Sequence, residues 1–255
     1  MLQVHPIANT GFSRTYIIED LNGLLVVDVG SIGAARDVAK YVKHLGRSIE
    51  EIAYITATHF HIDHIGGIEH LIKQCGATTR VLFNWRVRDY LTGKKKISLI
   101  RNWRSGLIPA TAVSARYVRR LSHFFFMNLS GIPLPWMRGM VNIPVDRERI
   151  GFFGDGTAER YALGFGGWEV IETPGHTEDS VSFYNEMTRE LICGDLIVNI
   201  SKSGRGILNR FHWRGDLLKE SFAYLCANMS PIVLYPGHGE VIRDKNNALD
   251  GVEIS

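Results

Sequence analysis

At 255 residues, with 45% hydrophobic and 22% charged residues, the chain has the composition of a packed globular protein, which excludes disordered and collagen-like classes. Its three cysteines (Cys75, Cys193 and Cys226) are widely spaced and outside any CxxC pattern, which argues against a disulfide framework and suits a reducing, cytoplasmic setting. The net charge of +3 hides an asymmetry: residues 80–149 hold 14 Lys/Arg against three acids, a local excess of +11, and the rest of the chain carries −8.

The first twenty residues show neither a basic start nor a continuous apolar core, so no signal peptide is expected. Residues 14–19 and 23–28 read as short strands around a Leu-Asn-Gly turn, the second ending on Asp28. Ala35, Val38, Ala39, Val42 and Leu45 then follow a helical period, with Ser31 as a cap and Gly46 as a stop. A strand over 52–57 runs into Thr58-His59-Phe60-His61-Ile62-Asp63-His64, followed by a short helix over 68–74 and a strand over 78–83.

The basic block comes next and reads as an insertion over 84–148. Within it, Thr111–Met127 is expected to form an amphipathic helix with Val113, Tyr117, Leu121 and Phe124 on one side and Arg116, Arg120 and His123 on another. The stretch Leu121–Met140 is apolar, but His123, Asn128, Pro133, Pro135 and Arg138 break it, so it does not qualify as a membrane span. Strands return at 160–163, 168–172, 181–184 and 190–193. A helix over 217–226 with Asp216 as its cap leads to a last strand at 232–235.

Chemistry concentrates at the ends of these strands. On an extended chain, His59, His61 and Asp63 project to one side, and a turn after His61 brings His64 to the same place. His176 in PGHT, Asp195 in CGD and His238 in PGHG also end predicted strands. A layered sheet would gather all seven in one mouth, and imidazole and carboxylate are ligands for zinc and similar divalent ions. His5, His44, His70, His123 and His212 do not join this pattern and read as surface or satisfied core histidines rather than ligands.

THFHIDHIGG, TPGHT, CGD and PGHG, in that order, resemble the motifs of the metallo-β-lactamase superfamily, most of all its glyoxalase II-like branch of binuclear hydrolases. The resemblance covers the chain outside the insertion and implies an α/β fold, an αββα four-layer sandwich in a single domain over 1–255 with a helical insertion. It implies two divalent metal ions, zinc foremost with iron or manganese as alternatives. One would sit on His59, His61 and His176, the other on Asp63, His64 and His238, with Asp195 bridging; Asp28 would orient a ligand histidine. Asp63 would also serve the catalytic proton transfer.

The implied activity is hydrolysis of a thioester, ester or lactone. No cysteine ligand is present, which disfavours antibiotic hydrolysis. Val198 stands where lactonases of this superfamily place a carbonyl-polarising tyrosine, and only 17 residues follow His238, against a glutathione-binding helical domain or a nuclease cap. The insertion reads as a basic and aromatic lid in which Arg116, Arg120 and His123 would meet the substrate. The expected partner is a small molecule with an acyl or anionic group, with no obligatory nucleic acid, no transmembrane segment and a homodimer as the candidate assembly. The competing readings are a phosphodiesterase or nuclease using the +11 block, and a regulatory protein on the same fold.

Overall fold

Leu24–Val27 is buried on both faces, and that burial organises the first sheet. The computed structural model describes residues 2–8, 10–95, 115–125, 145–200 and 204–254. β1 (Gln3–Ile7), β2 (Thr15–Asp20) and β3 (Gly23–Val27) form an antiparallel meander. β4 (Ile52–Thr56), β5 (Arg80–Asn84) and β6 (Ile150–Phe153) continue it in sequence order, all parallel to β3. Parallel neighbours need crossovers. α1 (Ile32–His44) supplies the first, α2 (Ile62–Ile65) and α3 (Ile68–Ile72) the second, and α4 (Val87–Leu91) opens the third.

The second sheet is built from β7 (Arg160–Ala162), β8 (Trp168–Glu172), β9 (Val181–Asn185) and β10 (Glu190–Gly194) as an antiparallel run. A small ribbon follows, β11 (Ile197–Val198) with β12 (Ile207–Leu208). α5 (Gly215–Asn228) then returns the chain so that β13 (Val233–Pro236) pairs parallel to β10, and β14 (Ile242–Arg243) closes the edge.

Three apolar layers define the four-layer sandwich. Tyr16, Ile18, Leu25 and Val27 of the first sheet meet Val170, Phe183, Ile192 and Tyr235 of the second. On the outer face of the first sheet, Ile17, Leu24, Val26 and Ile55 pack against Ala34, Val38 and Val42 of α1 and Ile68 and Leu71 of α3. On the outer face of the second, Leu191, Cys193 and Leu234 pack against Leu218, Phe222 and Leu225 of α5. At roughly 1.5–3 kcal/mol per fully buried large apolar side chain, these layers are the main favourable contribution to folding. Among the described residues, no helix is long and apolar enough to cross a membrane.

α1 follows its sequence signals. Ser31 is extended and its side chain accepts the Ala34 N–H at 3.1 Å, while Gly46 takes φ +72 just beyond the last turn. α5 departs from them. Its N-cap is Arg214, and Asp216 lies inside the first turn, paired back to the Arg214 guanidinium. The expected helix over 111–127 is also corrected where it is described. Residues 115–125 form two 3₁₀ turns, Ala115–Tyr117 and Leu121–Phe124, and Arg120 between them is extended; residues 111–114 and 126–127 lie outside the described set.

Tertiary contacts explain this departure. The Phe125 carbonyl accepts the Ile32 N–H at 2.9 Å, which occupies an otherwise orphan donor at the start of α1. His123 fills the space left by Gly33, where a Cβ would come within 2.0 Å of its ring. β1, β6, β14 and the β11–β12 ribbon are further elements that periodicity does not reveal, being short or at sheet edges.

Candidate metal centre

The parallel pairs place their carboxyl ends together. β3 ends at Asp28, β4 runs on to Thr58 and His59, β8 leads to His176, β10 to Asp195 and β13 to His238. The chain bends over Thr58–Phe60 and is extended again at His61, which is the N-cap of α2. Asp63 is therefore not the third alternating residue of a strand. It shares a helical turn with His64, and the turn expected after His61 is α2 itself. Two sites impose tight backbone. A Cβ at Gly237 would stand 2.1 Å from Asp195 Oδ1, so only glycine lets the β13 loop approach this carboxylate. Asp28 holds φ +60, a left-handed conformation that Asp and Asn tolerate better than most residues.

All seven predicted side chains converge. His59 Nε2 and His176 Nε2 lie 2.9 and 3.1 Å from His61 Nδ1, making one triad. Asp63, His64 and His238 make a second, with Asp63 Oδ2 at 3.8 Å from His64 Nε2 and 3.4 Å from His238 Nε2. Asp195 reaches both: Oδ2 is 3.4 Å from His176 Nε2 and 3.2 Å from His238 Nε2, and Oδ1 is 3.5 Å from His64 Nε2.

Most of the outward ring nitrogens have their own partners. His176 Nδ1 donates to the Phe211 carbonyl at 2.7 Å, and His238 Nδ1 to the Phe12 carbonyl at 2.7 Å. His64 Nδ1 stands 3.0 Å from Asp28 Oδ2, and His59 Nδ1 is 3.1 Å from Thr58 Oγ1. Asp28 is itself fixed by the Thr58 N–H at 2.8 Å. Each of these rings is oriented from behind with one nitrogen directed inward.

The electrostatics differ between the triads. Burial, reinforced by neighbouring imidazoles, holds His59 and His61 well below the ordinary histidine range, and burial also lowers His176. Burial opposes charge on His64 too, but Asp28, Asp63 and Asp195 together outweigh it and push this imidazole up to about 10. His238 is likewise raised, because Asp195 and Asp63 overcome its burial. Asp195 is buried, which alone would raise its pKa, yet His238, His64 and His176 keep the carboxyl well below the carboxylate range.

This donor set fits divalent cations. His64 Nε2 and Asp195 Oδ1 are buried without a hydrogen-bond partner, a costly arrangement unless a cation takes their lone pairs. The three nitrogens of the first triad face one another at hydrogen-bonding distances with no proton source matched to all of them. Nitrogen and carboxylate oxygen without thiolate suit zinc, iron or manganese.

Arg116, Arg120 and His123 are not among these groups. Arg120 and His123 both engage Asp37 of α1, His123 Nε2 at 2.9 Å from Asp37 Oδ2, and His123 is fully buried. Arg116 stacks on Tyr117, whose ring also carries Arg14, each guanidinium carbon 4.8 Å from the centroid. Arg14 in turn donates to the Gly239 carbonyl at 2.6 Å, so this part of the insertion braces the loop that carries His238.

Sequence reasoning missed Thr58, Asn209, Asp179 and the Phe12 and Phe211 carbonyls. Asp179 accepts the Phe60 N–H at 2.8 Å and ties the His59–His61 segment to the His176 loop. Backbone carbonyls carry no sequence signature, and the acid two residues beyond Thr177 looks like an ordinary loop residue.

A family model described as the metallo-beta-lactamase superfamily matches residues 8–222. The chain belongs to that superfamily. Among its relatives, the probable metallo-hydrolase YflN of Bacillus subtilis (strain 168) is 24% identical over 261 residues, covering 98% of this chain and 87% of the relative. Solved structures show the same fold. The crystal structure of BLEG-1 B3 metallo-beta-lactamase matches with a TM-score of 0.61 at 19% identity, covering 94% of both chains. The peroxy diiron species of chemotaxis sensor ODP matches with a TM-score of 0.60 at 14% identity, covering 98% of this chain and 88% of the other. The chain is therefore a metallo-beta-lactamase-fold protein of a metallo-hydrolase superfamily, with candidate metal-binding groups at the mouth of its sandwich.

Proposed function

We propose that the protein is a binuclear metal-dependent hydrolase of a thioester, ester or lactone, nearest in chemistry to the glyoxalase II-like branch. The observation that carries this reading is the geometry of Asp195, a buried carboxylate shared between two ligand triads that contain no cysteine. His59, His61 and His176 would hold one cation, and Asp63, His64 and His238 the other.

Two bound divalent ions would lower the pKa of a shared water toward ~7 and polarise the scissile oxygen. The protein supplies the rest. Asp195 Oδ2 lies between His176 of the first triad and His238 of the second, Oδ1 faces His64, and the surrounding imidazoles keep the carboxylate ionised. Asp63 is the most solvent-accessible of the seven side chains, and its position at the mouth suits it to take up the proton of the attacking water and release it to solvent. Asp28 holds His64 by Nδ1, and the Phe211 and Phe12 carbonyls fix the tautomers of His176 and His238. No buried cysteine competes as a nucleophile: burial pushes the Cys193 thiol up, away from the reactive thiolate.

The test is metal analysis of protein purified without added metal, followed by a panel of thioesters, esters, lactones and a phosphodiester. Two equivalents of zinc with salt-insensitive acyl hydrolysis, lost in His61→Ala, support the proposal. Turnover confined to the phosphodiester, with binding that weakens steeply as salt rises, replaces it with the phosphodiesterase reading. Two irons with dioxygen uptake and no hydrolysis replace it with oxygen chemistry.

A further inference from the structure

The chain that leaves Asp195 comes back to it. β11 and β12 pair antiparallel, and the Asn209 N–H donates to the Leu196 carbonyl at 3.0 Å, so the residue after β12 lies against the start of the ribbon. The Asn209 side chain is buried and joins two motifs that are 19 residues apart in sequence (176 and 195). Its Nδ2 donates to the Asp195 carbonyl at 2.8 Å, and its Oδ1 accepts the Phe211 N–H at 2.9 Å. The second bond closes an Asx turn.

That turn aims the Phe211 carbonyl at His176. A carbonyl only accepts, so at 2.7 Å it requires the proton on His176 Nδ1 and leaves Nε2 with its lone pair toward His61 and Asp195. Asn209 Nδ2 also lies 3.4 Å from His176 Nδ1. Both atoms are then donors, so this approach is packing and not a hydrogen bond. The influence of Asn209 on His176 therefore passes through the Phe211 turn. His238 Nδ1 is fixed instead by the Phe12 carbonyl, from a different loop.

We infer that Asn209 is a positioning residue for the all-histidine triad: through the Phe211 carbonyl it selects the His176 tautomer, and through the Asp195 carbonyl it fixes the shared acid relative to that ring. It touches neither substrate nor reacting atoms. The inference concerns the same centre as the metal-dependent reading above and rests on it for its consequence, but the tautomer itself is a property of the metal-free protein.

The test uses the full chain, stripped of metal, as wild type, Asn209→Ala and Asn209→Ser. Nitrogen-15 NMR of labelled histidines reads the His176 tautomer, and zinc titration against a chromophoric chelator reads the affinity of each equivalent. Asn209→Ala should lose the single Nδ1–H tautomer and weaken one zinc equivalent by roughly 10–100-fold, the magnitude usual for partners of ligand residues. Serine at this position can still close the turn to the Phe211 N–H, more weakly, without reaching the Asp195 carbonyl. Asn209→Ser should therefore recover the tautomer and part of the affinity, and being the milder change it carries the test if the alanine variant does not fold. An unchanged tautomer in Asn209→Ala, or a serine variant no better than alanine, overturns the inference. Wild-type protein that takes up no zinc overturns the metal-dependent reading instead, and the NMR comparison still decides the role of Asn209.

Discussion

The two triads differ by one residue type, a carboxylate in the second where the first has a third imidazole, and they are prepared differently. His59, His61 and His176 are buried among one another, and desolvation keeps them neutral and ready to donate lone pairs. Asp63, His64 and His238 sit among carboxylates, and without a cation His64 holds its proton up to about pH 10. The difference teaches that a cation entering the first triad displaces little, whereas one entering the second must displace a proton. Asp195 belongs to both environments and couples them.

The strongest way to break the comparison is to remove that coupling. Asp195→Ala should cost both cation equivalents and reduce hydrolysis by more than the roughly 10–100-fold typical of outer partners; metal analysis and turnover check it. Asp28→Asn should act on one side only. Asparagine tolerates the φ of +60, but an amide can donate to His64 Nδ1 and force the proton onto the inward Nε2. The second triad should weaken by about 10–100-fold while the first keeps its zinc, read by two-phase competition titration. If both equivalents weaken equally, the triads are not separately prepared.

Proton release sharpens the contrast further. Since the His64 proton must leave, zinc affinity at the second triad should rise with pH by up to about tenfold per unit between pH 6 and 8. The first triad, already neutral, should stay nearly flat over the same range. Titrations in buffers of different ionisation enthalpy would show proton release, from His64 and in part from His238, with one equivalent only.

The last contrast concerns the stability of the fold rather than metal affinity, at Asp179, which ties the two loops of the first triad. Burial raises its carboxyl to about 6, against 3.8 when exposed. The folded protein thus holds this proton more tightly than the unfolded chain, and the stability it contributes is complete below about pH 4 and lost as pH rises through 6. Asp179→Asn keeps an acceptor for the Phe60 N–H, so its stability relative to wild type should climb between pH 4 and 7, by at most about 3 kcal/mol. Urea unfolding at several pH values measures it.

Much of this was legible in the chain because periodicity and strand-end placement are local. Ser31 and Gly46 marked α1, and the His59–His64 cluster, His176, Asp195 and His238 stood at the ends of apolar runs. What escaped was non-local. The Phe211 and Phe12 carbonyls could have belonged to any residue type, and Asn209 acts through a turn that only the ribbon's return brings to Asp195. The apolar spacing of Tyr117, Leu121 and Phe124 suggested a helix, but Asp37, Gly33 and the orphan N–H of Ile32 on another element determined the conformation. Asp216 looked like a cap because it precedes the apolar stripe, yet the helix begins one residue before it, at Gly215.

The site draws His59, His61, Asp63 and His64 from the first sheet and His176, Asp195 and His238 from the second. An ion held there would fasten the two halves of the molecule like a rivet, closing a span of 115 residues between His61 and His176 alone. Chelation would then do more than silence a reaction: at an ion concentration 1,000 times its dissociation constant, it would remove about 4 kcal/mol of resistance to the halves coming apart.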